Sequence, residues 1–251
     1  MKLTSVAAGT SALALLALPA LAASADYSTD FTDVTIAETS DPAEWHMTGT
    51  YDAAIVTNNG DSALRISNKT TSSSFGDQLF SPSLSDGATE AGDVSAFTGS
   101  FTLEPVEYQE GLRVTVSPDN GSGGRAGFLA IEHREDGIAL YTLGSYIDDE
   151  GELQFDKHVD VATGLDYDES HTVQLKLVKK PDNKHTSNND VFAVKVDNGK
   201  WASNTTFEAY YDVTGEPDYS TDTLLFRLSG TPAPASNGQG MLIDDVTISV
   251  V

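Results

Sequence analysis

Apolar and polar residues alternate along most of the chain. Leu112, Val114 and Val116 are interleaved with Arg113 and Thr115, a period of two that sets one face of an extended strand against a core and wets the other. The same alternation returns in Phe97-Gly99-Phe101-Leu103, Leu129-Ile131-His133, Ile138-Leu140, Val173-Leu175-Leu177, Phe192-Val194-Val196, Leu224-Phe226-Leu228 and Leu242-Asp244-Val246-Ile248. Turn signals lie between these runs: Pro118 to Gly124, Asp136-Gly137, Asp149-Glu150-Gly151 and Asp197-Asn198-Gly199. No stretch keeps an apolar stripe at helical spacing for three turns with caps, so helix is expected almost nowhere. Many short strands separated by turns predict an all-β fold, an antiparallel two-sheet β-sandwich. The longest irregular pieces, Ser67 to Gly92 and Pro181 to Asp190, are not charged or repetitive enough to divide the chain.

The first residues read as a targeting signal. Lys2 supplies a positive start, Ala12 to Leu18 an apolar run too short to span a bilayer, and Ala23-Ser24-Ala25 a small-x-small cleavage site before Asp26. The expected organisation is a signal peptide over residues 1–25 and one domain over 26–251, secreted or periplasmic after cleavage, with no second apolar segment to insert it in a membrane.

Charge narrows the partners. The 251 residues include 38 Asp and Glu, 14 Lys and Arg and no Cys, for a formal charge of -24. Such a chain has no disulfide framework, no zinc-thiolate site and no cysteine nucleophile. Its charge also disfavours electrostatic binding of nucleic acid. Self-repulsion at this charge costs stability and relaxes in salt, which suits a saline habitat. Asn-x-Ser/Thr matches at Asn68, Asn120 and Asn204 are read as chance beside a leader of bacterial type.

The last third carries a resemblance. The runs Asn189 to Trp201, Thr223 to Gly230 and Gly240 to Ile248, with "NDVFAVKVDNG" and "GMLIDDVTIS" at their centres, are similar to the closing strands of concanavalin A-like (laminin G-like) jelly rolls of secreted bacterial proteins. The likeness is specific over about 60 residues and implies a jelly-roll fold, which hosts lectins, glycan-binding modules, glycoside hydrolases, lyases and adhesins alike. It also implies a structural calcium where the first and last strands meet. The matching acids are Asp244 and Asp245, with Asp30 and Asp33 of "DYSTDFTD" as partners. Asp244 shares parity with Leu242, Val246 and Ile248, which points it inward, where a carboxylate needs a cation or hydrogen-bond donors. Calcium takes six to eight oxygen ligands and suits such a set. The alternative is an inward Asp satisfied by backbone N–H groups or a hydroxyl.

On the wet parity stand Arg113, Glu132, Arg134, Tyr141, Gln174, Lys176, Lys195 and Arg227. If these converge on one sheet they form a basic groove inside an acidic shell, able to pair with carboxylate or sulfate groups on an anionic polysaccharide. The alternative is that they are polar because they face solvent, divided between two sheets. Trp45, Trp201, Tyr210 and Tyr211 would stack on sugar rings if exposed, and Tyr210-Tyr211 reads as loop.

Enzyme constellations are incomplete. Retaining hydrolases on this fold need two carboxylates on one strand face about 5 Å apart, and "EHRED" (Glu132 to Asp136) sends its second acid into a turn. Alginate lyases on this fold combine Arg, Gln-x-His and Tyr-x-Lys motifs. Arg113, Gln174, Lys176 and Tyr141 match in residue type only. His133 has core parity, and the other His residues are scattered. The leading expectation is therefore non-catalytic binding of an extracellular or cell-surface polysaccharide. A polysaccharide lyase or hydrolase of the same fold stands as one alternative and a matrix or adhesion protein as another.

Overall fold

A computed structural model describes residues 25–37, 41–50, 52–67, 76–84, 96–180, 189–215, 221–229 and 239–250. The segment up to residue 24 that reads as a targeting signal, Asn68 and most of the two long irregular pieces, His185 included, lie outside the described residues.

In chain order the strands are β1 (Ala25–Thr29), β2 (His46–Thr48), β3 (Ala53–Asn58), β4 (Asp61–Ile66), β5 (Gln78–Phe80), β6 (Ala96–Leu103), β7 (Arg113–Asp119), β8 (Phe128–Arg134), β9 (Gly137–Ile147) and β10 (Leu153–Leu165). They continue with β11 (His171–Val178), β12 (Val191–Val196), β13 (Ala202–Thr205), the helix α1 (Glu208–Thr214), β14 (Thr223–Leu228) and β15 (Met241–Val250). Sheet A runs β13-β12-β11-β6-β15-β4-β3, with β1 also paired to β15. Sheet B runs β10-β9-β8-β7-β14-β5-β2. All strand pairings within both sheets are antiparallel, so the expected sandwich and its all-β class are what the chain forms.

Every run of alternating residues named above lies on a strand, apart from Leu112, which immediately precedes β7. Their apolar members meet between the sheets, except Leu242, which precedes an irregularity in β15 and stays outside the buried cluster. Val114, Val116, Leu129, Ile131, Leu224 and Phe226 of sheet B face Phe97, Phe101, Val173, Leu175, Phe192 and Val194 of sheet A in one buried cluster. An aromatic chain links the layers. Phe31 lies 5.1 Å from Trp45, Trp45 lies 5.9 Å from Phe226, and Phe226 meets Phe101 at 6.0 Å. Trp45 is only 2% exposed and its indole N–H donates to the Tyr27 hydroxyl at 2.9 Å, so it is core rather than a sugar platform.

The first and last strands meet. Ala25 pairs with Val250 and Thr29 with Val246. The one helix among the described residues covers Tyr210 and Tyr211, which were expected in a loop. It is too short to show a helical stripe, and Gly215, at φ 68°, ends it in the left-handed conformation.

Candidate functional site

Strand parity says which residues avoid the core. Pairing says which sheet they stand on. Arg113 lies opposite Glu132 across β7 and β8, Ala130 opposite Tyr141 across β8 and β9, and Asp160 opposite Tyr141 across β9 and β10. Arg227 of β14 pairs with Thr115 of β7. Arg113, Glu132, Arg134, Tyr141 and Arg227 therefore share the outer face of sheet B. Small side chains there, Thr115, Ser117, Ala130 and Ala139, are nearly buried and form a floor between the larger charged ones.

The large side chains form a connected network. The Tyr141 hydroxyl donates to Glu132 Oε2 at 3.0 Å, Arg134 Nε donates to Glu132 Oε1 at 3.2 Å, and Arg113 Nη1 reaches the Tyr141 oxygen at 3.4 Å. Arg113 Nε also donates to Ser229 Oγ at 3.0 Å. Burial pushes the Glu132 carboxyl up, but the bonds from Arg134 and Tyr141 and the charges of Arg134 and Arg113 outweigh it, so Glu132 sits below its ordinary value. Burial, then the hydrogen bond to Glu132, raises the Tyr141 hydroxyl. The hydrogen bond to Glu132 raises Arg134.

Two further residues join them that the sequence reading passed over. The His158 ring stacks on the Tyr141 ring with centroids 4.4 Å apart and planes 13° apart, and its Nε2 lies 2.8 Å from Asp160 Oδ1. Together with Arg134, whose guanidinium lies 5.9 Å from the Tyr141 ring centre, this stacking leaves Tyr141 only 6% exposed. The signal was present in "KHVDV", where His158 and Asp160 alternate with Val159 and Val161. It is weak because β10 carries register shifts and few large apolar residues.

The rest of the expected set does not converge here. Gln174 and Lys176 stand on β11 and Lys195 on β12, in sheet A, because β11 pairs with β6 and β12. The basic groove of eight residues is thus divided between opposite faces of the sandwich. Alternation cannot reveal this, since it is identical for strands of either sheet.

The expected calcium ligands also part company. Asp244 pairs with Thr102, and the next registered pair is Thr247 with Ser100, so two residues of β15 oppose one of β6. This bulge, with Asp245 at φ 49°, shifts the alternation: Ile243 and Val246 both enter the core. Asp244 therefore faces outward from sheet A, contrary to the inward orientation that unbroken parity predicts. It is nonetheless 7% exposed, and its Oδ1 accepts the Asp245 N–H at 2.7 Å. Burial first, then the charges of Asp245, Asp61 and Glu104, push it up to about 6. Asp30 accepts the Thr32 N–H at 3.0 Å in a local turn, and Asp33 is exposed. Among the described residues no three His, Cys, Asp or Glu side chains come together to hold a metal ion. His133 takes the core position its parity predicts: it is buried, its Nδ1 accepts the Gln109 N–H at 3.3 Å, its Nε2 has no hydrogen-bond partner among the described residues, and burial lowers it to about 4.

No protein family matches the sequence, and no curated protein matches it. Solved structures do resemble it. A double mutant of alginate lyase Aly36B in complex with alginate trisaccharide superposes with a TM-score of 0.55 at 10% identity, covering 90% of this chain and 98% of that one. The marine alginate lyase from Aplysia kurodai gives 0.50 at 11% identity, covering 91% and 100%. A GH43 glycoside hydrolase gives 0.53 at 12% identity over 94% of this chain but 42% of that one. At such identities the likeness is one of fold, and the chain has the concanavalin A-like jelly roll that its closing strands resemble.

Proposed function

We propose that this chain is a secreted polysaccharide lyase that cleaves a uronate-bearing glycan on the outer face of sheet B. The observation that carries the reading is the placement of His158, oriented by Asp160 at 2.8 Å, against Tyr141 in a network that also holds Arg113, Arg134 and Glu132. Elimination from a uronate needs a cation at its carboxylate, a base for the proton beside that carboxylate, and an acid for the leaving oxygen.

Arg113 and Arg134 are the candidates for the first task. Their guanidinium groups pair with a planar carboxylate and stabilise the charge that develops as the neighbouring C–H bond breaks. His158 takes that proton on the ring nitrogen not bonded to Asp160. The electron pair forms the C4=C5 double bond as the C4–O bond breaks, and the Tyr141 O–H protonates the departing oxygen. Proton transfer from His158 to Tyr141 then restores both groups. Hydrolysis with retention is less well supported, because it asks for two free carboxylates about 5 Å apart. Here Glu132 is held by Arg134 and Tyr141, and Asp160 by His158.

The alginate lyases among the solved structures of this fold support the substrate class, and the leader-like pattern of residues 1–25 supports an extracytoplasmic address. Binding without cleavage is the second reading. It is favoured by the slight exposure of Tyr141, whose hydroxyl already has Glu132 as a partner.

The test is incubation with polymannuronate, polyguluronate and polygalacturonate, following ultraviolet absorbance of the unsaturated product and release of reducing ends. Absorbance that His158→Ala abolishes and Arg113→Ala reduces supports the lyase. Reducing ends without absorbance indicate a hydrolase. Retention on the polymer that Arg113→Ala weakens, without product, indicates a binding module, and no interaction at all leaves the matrix protein.

A further inference from the structure

The three residues that sheet A removes from the proposed cleavage site form a site of their own. Lys176 on β11 and Lys195 on β12 face away from the core, and the turn after β12 folds Trp201 back across them. The Lys176 ammonium lies 4.6 Å from the Trp201 ring centre and the Lys195 ammonium 5.2 Å. Gln174, the registered neighbour of Lys195, stands on the same face. Trp201 is 40% exposed, one of few large hydrophobic side chains so open among the described residues.

Two cations on one ring repel each other, and the ring's electron-rich face offsets this only in part. A neighbouring carboxylate would ordinarily complete such a pair. Among the described residues neither lysine's ammonium has an ion pair or hydrogen bond. Asp197, two residues from Lys195, is engaged elsewhere: its Oδ1 accepts the Thr172 N–H at 2.8 Å and its Oδ2 lies 3.0 Å from His171 Nδ1. In a chain with 38 acids and 14 bases, two lysines with no acid partner among the described residues, beside an open indole, form a locally positive patch. The surroundings are polar and small. Thr98 and Ser100 of β6 pair with Lys176 and Gln174, and Thr247 and Ser249 of β15 follow beyond them. A flat hydroxyl-lined surface beside an aromatic ring suits a sugar chain, and the two ammoniums select an acidic one.

We infer that Trp201, Lys176, Lys195 and Gln174 form a second binding site for an anionic polysaccharide, on the sheet opposite the proposed cleavage site. Trp201 stacks on a sugar ring, the lysines pair with carboxylate or sulfate groups, and Gln174 binds hydroxyls. A site on each face lets one molecule hold two strands of an acidic gel, or hold one strand while acting on another. The inference stands independently of the lyase reading.

Tryptophan fluorescence isolates this site, because the protein has two tryptophans and Trp45 is buried in the core. Acrylamide, a neutral quencher, should reach Trp201 in the free protein. Polygalacturonate should protect it and neutral dextran should not. His158→Ala and Arg113→Ala should leave the protection intact, so failure of the cleavage site and failure of this one read out separately. Lys176→Gln combined with Lys195→Gln should keep the melting temperature and weaken protection about tenfold or more, as expected from losing two charge-assisted contacts. Trp201→Phe should weaken retention on a polygalacturonate column when measured in the His158→Ala background. No protection by polygalacturonate, equal protection by dextran, or undiminished binding by the double lysine variant would each overturn the inference.

Discussion

Asp119 offers a sharp test of the electrostatics inside this sandwich. It ends β7, is fully buried, and its Oδ1 accepts the Gly123 N–H at 3.0 Å, while nothing among the described residues hydrogen-bonds its Oδ2. Burial raises the carboxyl from an ordinary 3.8 to about 6, against the opposing effects of the Gly123 N–H and the Arg125 charge. A rise of that size is worth roughly 3 kcal/mol, at about 1.4 kcal/mol for each tenfold change in proton affinity. Because the folded state holds the proton more tightly than the unfolded chain, this stability is fully present below the unfolded value and is lost as pH rises through about 6. His133 works the other way over much of the same range. Its value falls from 6.5 to about 4, so its contribution is present above the unfolded value and lost as pH falls through the folded one. The wild-type curve alone therefore mixes the two. Asp119→Asn separates them, because a constant cost from altered packing or from Arg125 cancels when the two proteins are compared across pH. Urea unfolding of both proteins from about pH 4 to about pH 7 should show wild type losing roughly 2.5 kcal/mol relative to Asp119→Asn over that span, the rest being lost below about pH 4. A flat difference, or one that grows in favour of wild type with pH, would refute the reasoning.

Two further predictions concern the strand ends. Asp244→Asn should raise the melting temperature above about pH 6 and change it little below about pH 4, since it removes a carboxylate that burial and the charges of Asp245, Asp61 and Glu104 hold at about 6. An equal effect at both pH values would place the gain elsewhere. Gly240→Ala should cost about 2 kcal/mol or more in denaturant unfolding. Gly240 sits at φ 84°, its added Cβ would lie 2.6 Å from the Ser67 carbonyl oxygen, and its backbone is clamped at both N–H and C=O by the buried Gln109 amide. Gly60→Ala is the control: φ is 94° but nothing lies within 4 Å of the new Cβ, so only the conformational cost of about 1 kcal/mol should appear.

Much of the proposed site on the outer face of sheet B was legible before any fold was known. Arg113, Glu132, Arg134 and Tyr141 stand at wet positions of three successive strands with short connections, and such strands pair with one another. His158 and Asp160 were not legible to the same degree, because β10 reaches Tyr141 through shifted register. Asp244 was misplaced for a related reason. A period-two reading assumes an unbroken pleat, and one extra residue at Asp245 turns the rest of the strand over.

Local alternation and turn chemistry by themselves determined that this chain makes short antiparallel strands, which side chains enter the core wherever the pleat is unbroken, and that the chain is acidic with few bases to spare. Those properties depend on residues a few positions apart, so a linear string records them. Only the tertiary structure decided that Lys176 and Lys195 lie on the opposite face from Arg113, that His158 stacks on Tyr141, and that Asp244 faces outward. Each of these depends on which strand lies beside which and in what register. That choice is made by the packing of two whole sheets, where Phe226, Phe101 and Trp45 meet, and no single segment contains it.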